Sequence, residues 1–153
     1  MATYQATIVW EAEGGFRDGS YSRAHRWDFD GGASVPASSS PHAVPLPYSD
    51  PAGVDPEEAL VASVSSCHML WFLALAQKAG FDVARYRDAA HGTMGRNDRG
   101  KIGMARISLM PEIAFNGRAP SATELAELHH AAHESCFIAN SLRTEIKIGN
   151  ATA

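Results

Sequence analysis

Residues 55–70 read Asp55-Pro56-Glu57-Glu58-Ala59-Leu60-Val61-Ala62-Ser63-Val64-Ser65-Ser66-Cys67-His68-Met69-Leu70. This stretch decides the fold, because it sets both where a long helix starts and what kind of helix it is. Asp55 is a good N-cap, and Pro56 suits the first helical position, where its missing N–H is no loss. Glu58 at the third position completes a capping-box arrangement. The apolar run continues through Trp71, Phe72, Leu73 and Leu75, so the spacing predicts a helix to about Ala79 that stops at Gly80. Its apolar residues lie nearly all round, which marks a central core element rather than a surface helix. Ser63, Ser65, Ser66, Cys67 and His68 interrupt it, and Asp55, Glu57 and Glu58 precede it. It therefore reads as a buried helix and not as a membrane span. Covering every face of such a helix takes a sheet on one side and something else on the other, and a partner subunit could supply that second cover.

On either side of the helix the pattern changes from period 3.6 to period two. Thr3 to Trp10 alternates, with Tyr4, Ala6, Ile8 and Trp10 on one side, and predicts a strand. Glu13-Gly14-Gly15 is a turn, a second strand is expected over Ser22–Phe29, and Asp30-Gly31-Gly32 turns the chain again. Residues 34–53 carry Pro36, Pro41, Pro45, Pro47 and Pro51 among five serines. That segment is expected to be neither helix nor central strand, and Val44, Leu46 and Tyr48 favour an ordered wrap over a site rather than a linker. Beyond the helix, Val83 to Met94 predicts a strand, Asn97-Asp98-Arg99-Gly100 a turn, and residues 104–115 the clearest strand, with Pro111 forcing an edge or bulge. Asn116-Gly117 closes it. Ser121 and Glu124 repeat the capping-box signature ahead of a helix through about Ser135, and Thr144–Ile148 alternates as a last strand.

At 153 residues the chain is long enough for one substantial core, so one α+β domain over residues 1–153 is expected. A formal charge of −4 suits a soluble protein, and no basic run tracks a phosphate backbone, which argues against nucleic acid as a partner. The opening MATYQATIVW has no positive leader or apolar h-region, so a cytoplasmic location is expected. Two cysteines in a reducing cytoplasm are expected as free thiols, with any disulfide between them transient and catalytic.

Those cysteines, Cys67 and Cys136, are the leading candidates for chemistry. A lone cysteine in an apolar helix is most often a small buried hydrophobe. Around Cys67 the polar neighbours Ser65, Ser66 and His68 weaken that reading, since buried hydroxyls and imidazoles need partners. Cys136 lies in Glu134-Ser135-Cys136-Phe137, and a separation of 69 residues is no local CxxC motif. A reactive thiolate wants a cation beside it; Arg23 and Arg26 in the predicted second strand are candidates, three apart and so on opposite faces. Glu57 is the natural anion to orient such an arginine, but ten residues of helix put it roughly 15 Å along from Cys67. His129 and His133 are i, i+4 on the second helix, which is metal-ligand spacing, and with Cys136 they leave a zinc module open. A solvated histidine-rich helix face is the preferred reading of His129, His130 and His133. There is no phosphate-binding glycine loop and no Gly-x-Ser-x-Gly elbow.

The stretch Asp55–Leu70 resembles the signature of the OsmC/Ohr family of peroxide-detoxifying proteins, an N/D-P-E-x-L turn leading into a helix that carries a reactive cysteine. His133-Glu134-Ser135-Cys136-Phe137, with Asn140, is similar to the family's resolving-cysteine segment, although Phe137 stands where the family usually has proline. The order of elements fits along essentially the whole chain. The resemblance implies an α+β OsmC-like fold, with antiparallel sheets wrapped around long central helices in an intertwined homodimer whose two active sites lie at the subunit interface. It implies Cys67 as peroxidatic cysteine, Cys136 as resolving cysteine, and Glu57 as partner of a catalytic arginine, with Arg23 the first choice and Arg26 the alternative. The implied activity is reduction of organic hydroperoxides, H2O2 among possible substrates, at the expense of an external dithiol, with no cofactor and no metal. Met69, Trp71 and Phe72 are expected to line a pocket for an organic peroxide. A structural or small-ligand-binding dimer of the same fold, without efficient turnover, is the second reading.

Overall fold

A computed structural model describes residues 1–149. Its internal contacts divide the chain into two compact units, Met1–Ala59 and the part from Leu60 onward.

The first unit is a three-stranded antiparallel sheet of β1 (Ala6–Val9), β2 (His25–Phe29) and β3 (Ser34–Ala37), in the order β1-β2-β3. The two predicted strands are shorter than the alternation suggests, and Arg23 precedes β2 instead of lying in it. Gly32, at φ +88°, makes the tight turn between β2 and β3. The predicted loop over 34–53 instead opens as a strand. Pro36 is tolerated there because β3 lies at the sheet edge, and its carbonyl accepts from the Val54 N–H at 3.0 Å. The remainder is an ordered excursion pinned at its ends, with Ala37 bridging to Val54 and the Asp50 N–H donating to the Ser38 hydroxyl at 2.9 Å.

Helix α1 spans Pro56–Lys78, as predicted. The Glu58 N–H donates to Asp55 Oδ1 at 2.8 Å and the Asp55 N–H reaches Glu58 Oε2 at 3.4 Å, so the capping box is formed. At the other end Gly80, at φ +82°, lets the Phe81 N–H reach the Ala76 carbonyl and the Gly80 N–H that of Gln77, each at 3.0 Å. This is the Schellman pattern, in which a left-handed glycine returns the orphan carbonyls to the chain. One chain buries a single stripe of the helix, Val64, His68, Phe72 and Ala76, every fourth residue. The expected burial on all faces is not met within one chain: Leu70 is 61% exposed.

The second unit adds β4 (Asp82–Asp88), β5 (His91–Arg96), β6 (Ile102–Leu109), β7 (Pro111–Asn116), α2 (Ala122–Ser135), α3 (Phe137–Asn140) and β8 (Glu145–Ile148). β4 pairs antiparallel with β7, while β5-β6-β8 form a second sheet in which β8 runs parallel to β6, a departure from the expected antiparallel pairing. Two sequence expectations are corrected here. The strand expected over Val83–Met94 is β4 and β5 in different sheets, and the strand expected over 104–115 is β6 and β7, divided at Met110. Pro111, without an N–H, heads the new strand, and the Met110 N–H leaves the ladder to donate to Asp88 Oδ1 at 2.6 Å. Phe72, Ala76, Phe81, Leu128 and Ala132 form one core cluster, closed by Val83, Tyr86, Ile113 and Phe115 of β4 and β7. Val64, Ile107 and Leu109 form another, with Ile146 and Ile148 of β8 packed on it.

Candidate active-site residues

The second unit holds both thiols. Cys67 lies on α1, half-buried, and Cys136 occupies the joint between α2 and α3, 1% exposed. The joint is built by local hydrogen bonding. The Cys136 N–H donates to the His133 carbonyl at 3.1 Å, closing α2, and the Cys136 Sγ accepts from the Ala139 N–H at 3.4 Å, capping α3. Neither cysteine is in a disulfide, and Cys67 lies close enough to Cys136 to influence its thiol. Burial pushes the Cys136 thiol up to about 11, and the neighbouring Cys67 acts in the same direction, so Cys136 keeps its proton at ordinary pH. Trp71, one helical turn beyond Cys67, meets Phe137 edge-on at 5.5 Å, which ties α1 to α3 beside the pair. The two thiols are therefore unequal: Cys67 is the accessible one, and Cys136 is sealed behind it.

His68, the next residue along, turns into the core. It is 1% exposed, and its Nε2 lies 3.0 Å from Nδ1 of His129, itself 5% exposed, with the rings stacked. Burial holds both imidazoles near 4, so both are neutral at ordinary pH. This corrects the reading of His129–His133 as a solvated face, which holds only for His130. It also removes His129 from a zinc set with His133 and Cys136: its Nδ1 is engaged, and among the described residues no three His, Cys, Asp or Glu side chains converge as a metal would need. Phe72 is likewise fully buried against Tyr86 and His129, so it cannot line a pocket beside Cys67.

The first unit holds the arginines. Arg23 and Glu57 line one cleft of about 490 Å³ together with Trp10, Phe16, Tyr21 and His25. Arg23 Nη1 donates to the carbonyls of Gly19, at 3.1 Å, and Tyr21, and its guanidinium lies over the Tyr21 ring, 3.6 Å from the centroid. Its backbone N–H donates to Tyr48 O at 2.9 Å. It makes no ion pair among the described residues, Glu57 included. Arg26, by contrast, is spent on the exposed strand face, where its Nε donates to both oxygens of Asp28 at 2.9 Å. Of the two candidates, Arg23 is the one that shares a cleft with Glu57.

Sequence reasoning missed three features: the His68–His129 pair, the aromatic trio Trp10, Phe16 and Tyr21 with ring centroids 5.0 to 5.7 Å apart, and the contacts of His25. Only the last had a local signal, His25 and Trp27 sharing one face of a strand.

The mixed α+β arrangement of sheets and helices matches that of OsmC-like proteins of known structure. The chain belongs to that family, whose model matches residues 49–149. An OsmC-like protein of unknown function from Vibrio cholerae is 46% identical in sequence, covering 98% of this chain and 99% of that one, with a TM-score of 0.95. An organic hydroperoxide resistance protein from Elizabethkingia anophelis (19% identity, 97% and 93% covered, TM-score 0.69) shares the fold. So does the organic hydroperoxide resistance protein OhrB of Bacillus subtilis (17% identity, 97% and 99% covered, TM-score 0.65). A search of curated proteins gave no match.

Proposed function

We propose that the protein is a cysteine-based peroxidase that reduces organic hydroperoxides, and H2O2 within the same chemistry, in a two-cysteine cycle. The observation that carries this reading is the placement of a half-buried thiol, Cys67, beside a buried one, Cys136, that holds its proton. The Cys67 thiolate attacks the distal oxygen of ROOH; the O–O bond breaks, the alkoxide takes a proton and leaves as ROH, and Cys67 becomes a sulfenic acid. Cys136 gives up its proton and attacks that sulfur, hydroxide leaves as water, and a disulfide results. An external dithiol returns both thiols by two exchanges. In this proposal Arg23 supplies the cation for the Cys67 thiolate and Glu57 orients it; that Arg23 makes no ion pair among the described residues and shares a cleft with Glu57 supports the assignment. The working species is a homodimer, cytoplasmic, with a second copy covering the exposed apolar face of α1 around Leu70.

Reduction of cumene and t-butyl hydroperoxides with dithiothreitol as reductant tests the reading, with mass spectrometry for a Cys67–Cys136 disulfide. Cys67→Ser should abolish turnover, and Cys136→Ser should leave a sulfenic acid that dimedone traps. Absence of peroxide-dependent oxidation at Cys67 would overturn the proposal. The second reading, a small-ligand-binding dimer without efficient turnover, draws support from the aromatic cleft around Arg23, and would then be preferred.

A further inference from the structure

Two contacts in series run from the second strand to Arg23. The indole Nε1 of Trp27 lies 2.9 Å from Nε2 of His25, and Nδ1 of His25 lies 2.8 Å from the carbonyl oxygen of Arg23. An indole N–H only donates, so His25 Nε2 must accept, and the single ring proton of a neutral imidazole must then sit on Nδ1. A carbonyl only accepts, so the far end of the series demands the same tautomer. The two ends thus fix the histidine independently and in agreement. His25 and Trp27 are held in register against Ala37 and Val35 of β3, which makes their face of the strand a fixed platform. Arg23 is outside the strand, in the segment leading to it, and its side chain turns back on Gly19, Tyr21 and the Tyr21 ring. Its backbone is gripped on both sides, by His25 at the carbonyl and by Tyr48 at the N–H.

We propose that His25, locked as the Nδ1–H tautomer by Trp27, is a positioning residue that fixes the backbone of Arg23 and so aims its guanidinium into the cleft both residues line. The inference rests on the reading of Arg23 as the cation that serves Cys67. Losing the grip on its carbonyl frees the arginine segment without removing the charge, so the expected defect is a slower reaction of Cys67 with peroxide and not a loss of fold.

Two substitutions separate the two ends of the ring. His25→Asn keeps an N–H near the Nδ1 position, whereas His25→Gln keeps an acceptor near the Nε2 position and has no donor for Arg23. Stopped-flow rates of Cys67 oxidation by cumene hydroperoxide should fall about ten-fold or more in His25→Gln, the scale of loss expected when a reacting group is displaced, and stay close to the parent in His25→Asn. Nitrogen-15 imidazole spectra of the reduced protein should show His25 protonated at Nδ1, with the Nε2–H fraction rising in Trp27→Phe, where the Arg23 carbonyl alone still holds the Nδ1–H form. An Nε2–H tautomer in the parent, or equal rates in the two His25 variants alongside a slowed Arg23→Ala, would overturn the positioning role alone. An Arg23→Ala protein that oxidises Cys67 at the parent rate would overturn the activating role of Arg23 and this proposal with it.

Discussion

His68 and His129 meet ring to ring between α1 and α2, Nε2 to Nδ1 at 3.0 Å, with planes 10° from parallel and centroids 5.3 Å apart. Phe72 leans on the His129 ring at 4.6 Å, and His68 Nδ1 has no hydrogen-bond partner among the described residues. The pair satisfies itself only while neutral, one nitrogen donating and the other accepting. A second proton would leave a buried cation facing another imidazole.

Acid sensitivity follows, and its sign is fixed by the direction of the shift. Burial lowers both histidines from the ordinary 6.5 to about 4, so below pH 6.5 the unfolded chain takes up protons that the folded one refuses. Stability should be fully present above pH 6.5, fall at about 1.4 kcal/mol per pH unit for each histidine as pH drops, and level off below about 4. Urea midpoints at intervals from pH 8 to pH 4 check this. A His68→Leu/His129→Leu protein should lose most of the slope, and an unchanged slope would refute the assignment.

Thiol accessibility gives a second prediction. With Cys136 1% exposed and held near 11, iodoacetamide at pH 7.5 should alkylate Cys67 at least about ten-fold faster in the folded protein. In urea the two rates should converge. Peptide mass spectrometry after timed quenching reads both sites, and preferential labelling of Cys136 in the folded state would reverse their assigned roles.

Asp88 is the polar joint of the second unit. Its Oδ2 accepts from the Ser65 hydroxyl on α1, and its Oδ1 accepts the Met110 N–H where β6 gives way to β7. Asp88→Ala strands both donors and should cost about 2–3 kcal/mol in urea denaturation. Asp88→Asn retains one acceptor oxygen and should cost roughly half as much. Equal stabilities would show that water replaces the carboxylate without loss.

Asp88 also explains why some of the fold was legible and some was not. Both ends of α1 and the start of α2 are written in neighbouring residues: Asp55 with Glu58, Gly80, and Ser121 with Glu124. The divisions of 83–94 and 104–115 are not, because the break at Met110 depends on a carboxylate 22 residues away. The same limit applies to the site. Cys67 and Cys136 stood out singly, and resemblance to a family paired them, since no spacing rule spans their separation. His129 looked solvated beside His130 and His133, because its buried partner, His68, lies 61 positions earlier. Arg23 is the first choice and Arg26 the alternative by sequence; that Asp28, two residues from Arg26 on the same face of β2, pairs with Arg26 is visible only in the structure.

Close packing of α1 on its sheet supplies the last test. A Cβ at Gly92 on β5 would stand 2.5 Å from Met104 Sδ and 2.7 Å from Val61 Cγ2 on the helix. Methionine can swing aside, but a β-branched side chain on a helix has one strongly preferred rotamer, so Val61 must carry the strain. Gly92→Ala should therefore destabilise by about 1–3 kcal/mol, the usual cost of an extra methyl in a filled core. Gly103→Ala on β6, with no atom within 4 Å of its added Cβ, is the control and should stay within about 0.5 kcal/mol of the parent. Combining Gly92→Ala with Val61→Ala makes room where the clash falls, so the double variant should be more stable than the sum of the two single losses predicts. Strict additivity in that cycle would mean that the sheet moves away from the helix as a body, and that Gly92 is not the point at which α1 and β5 are held together.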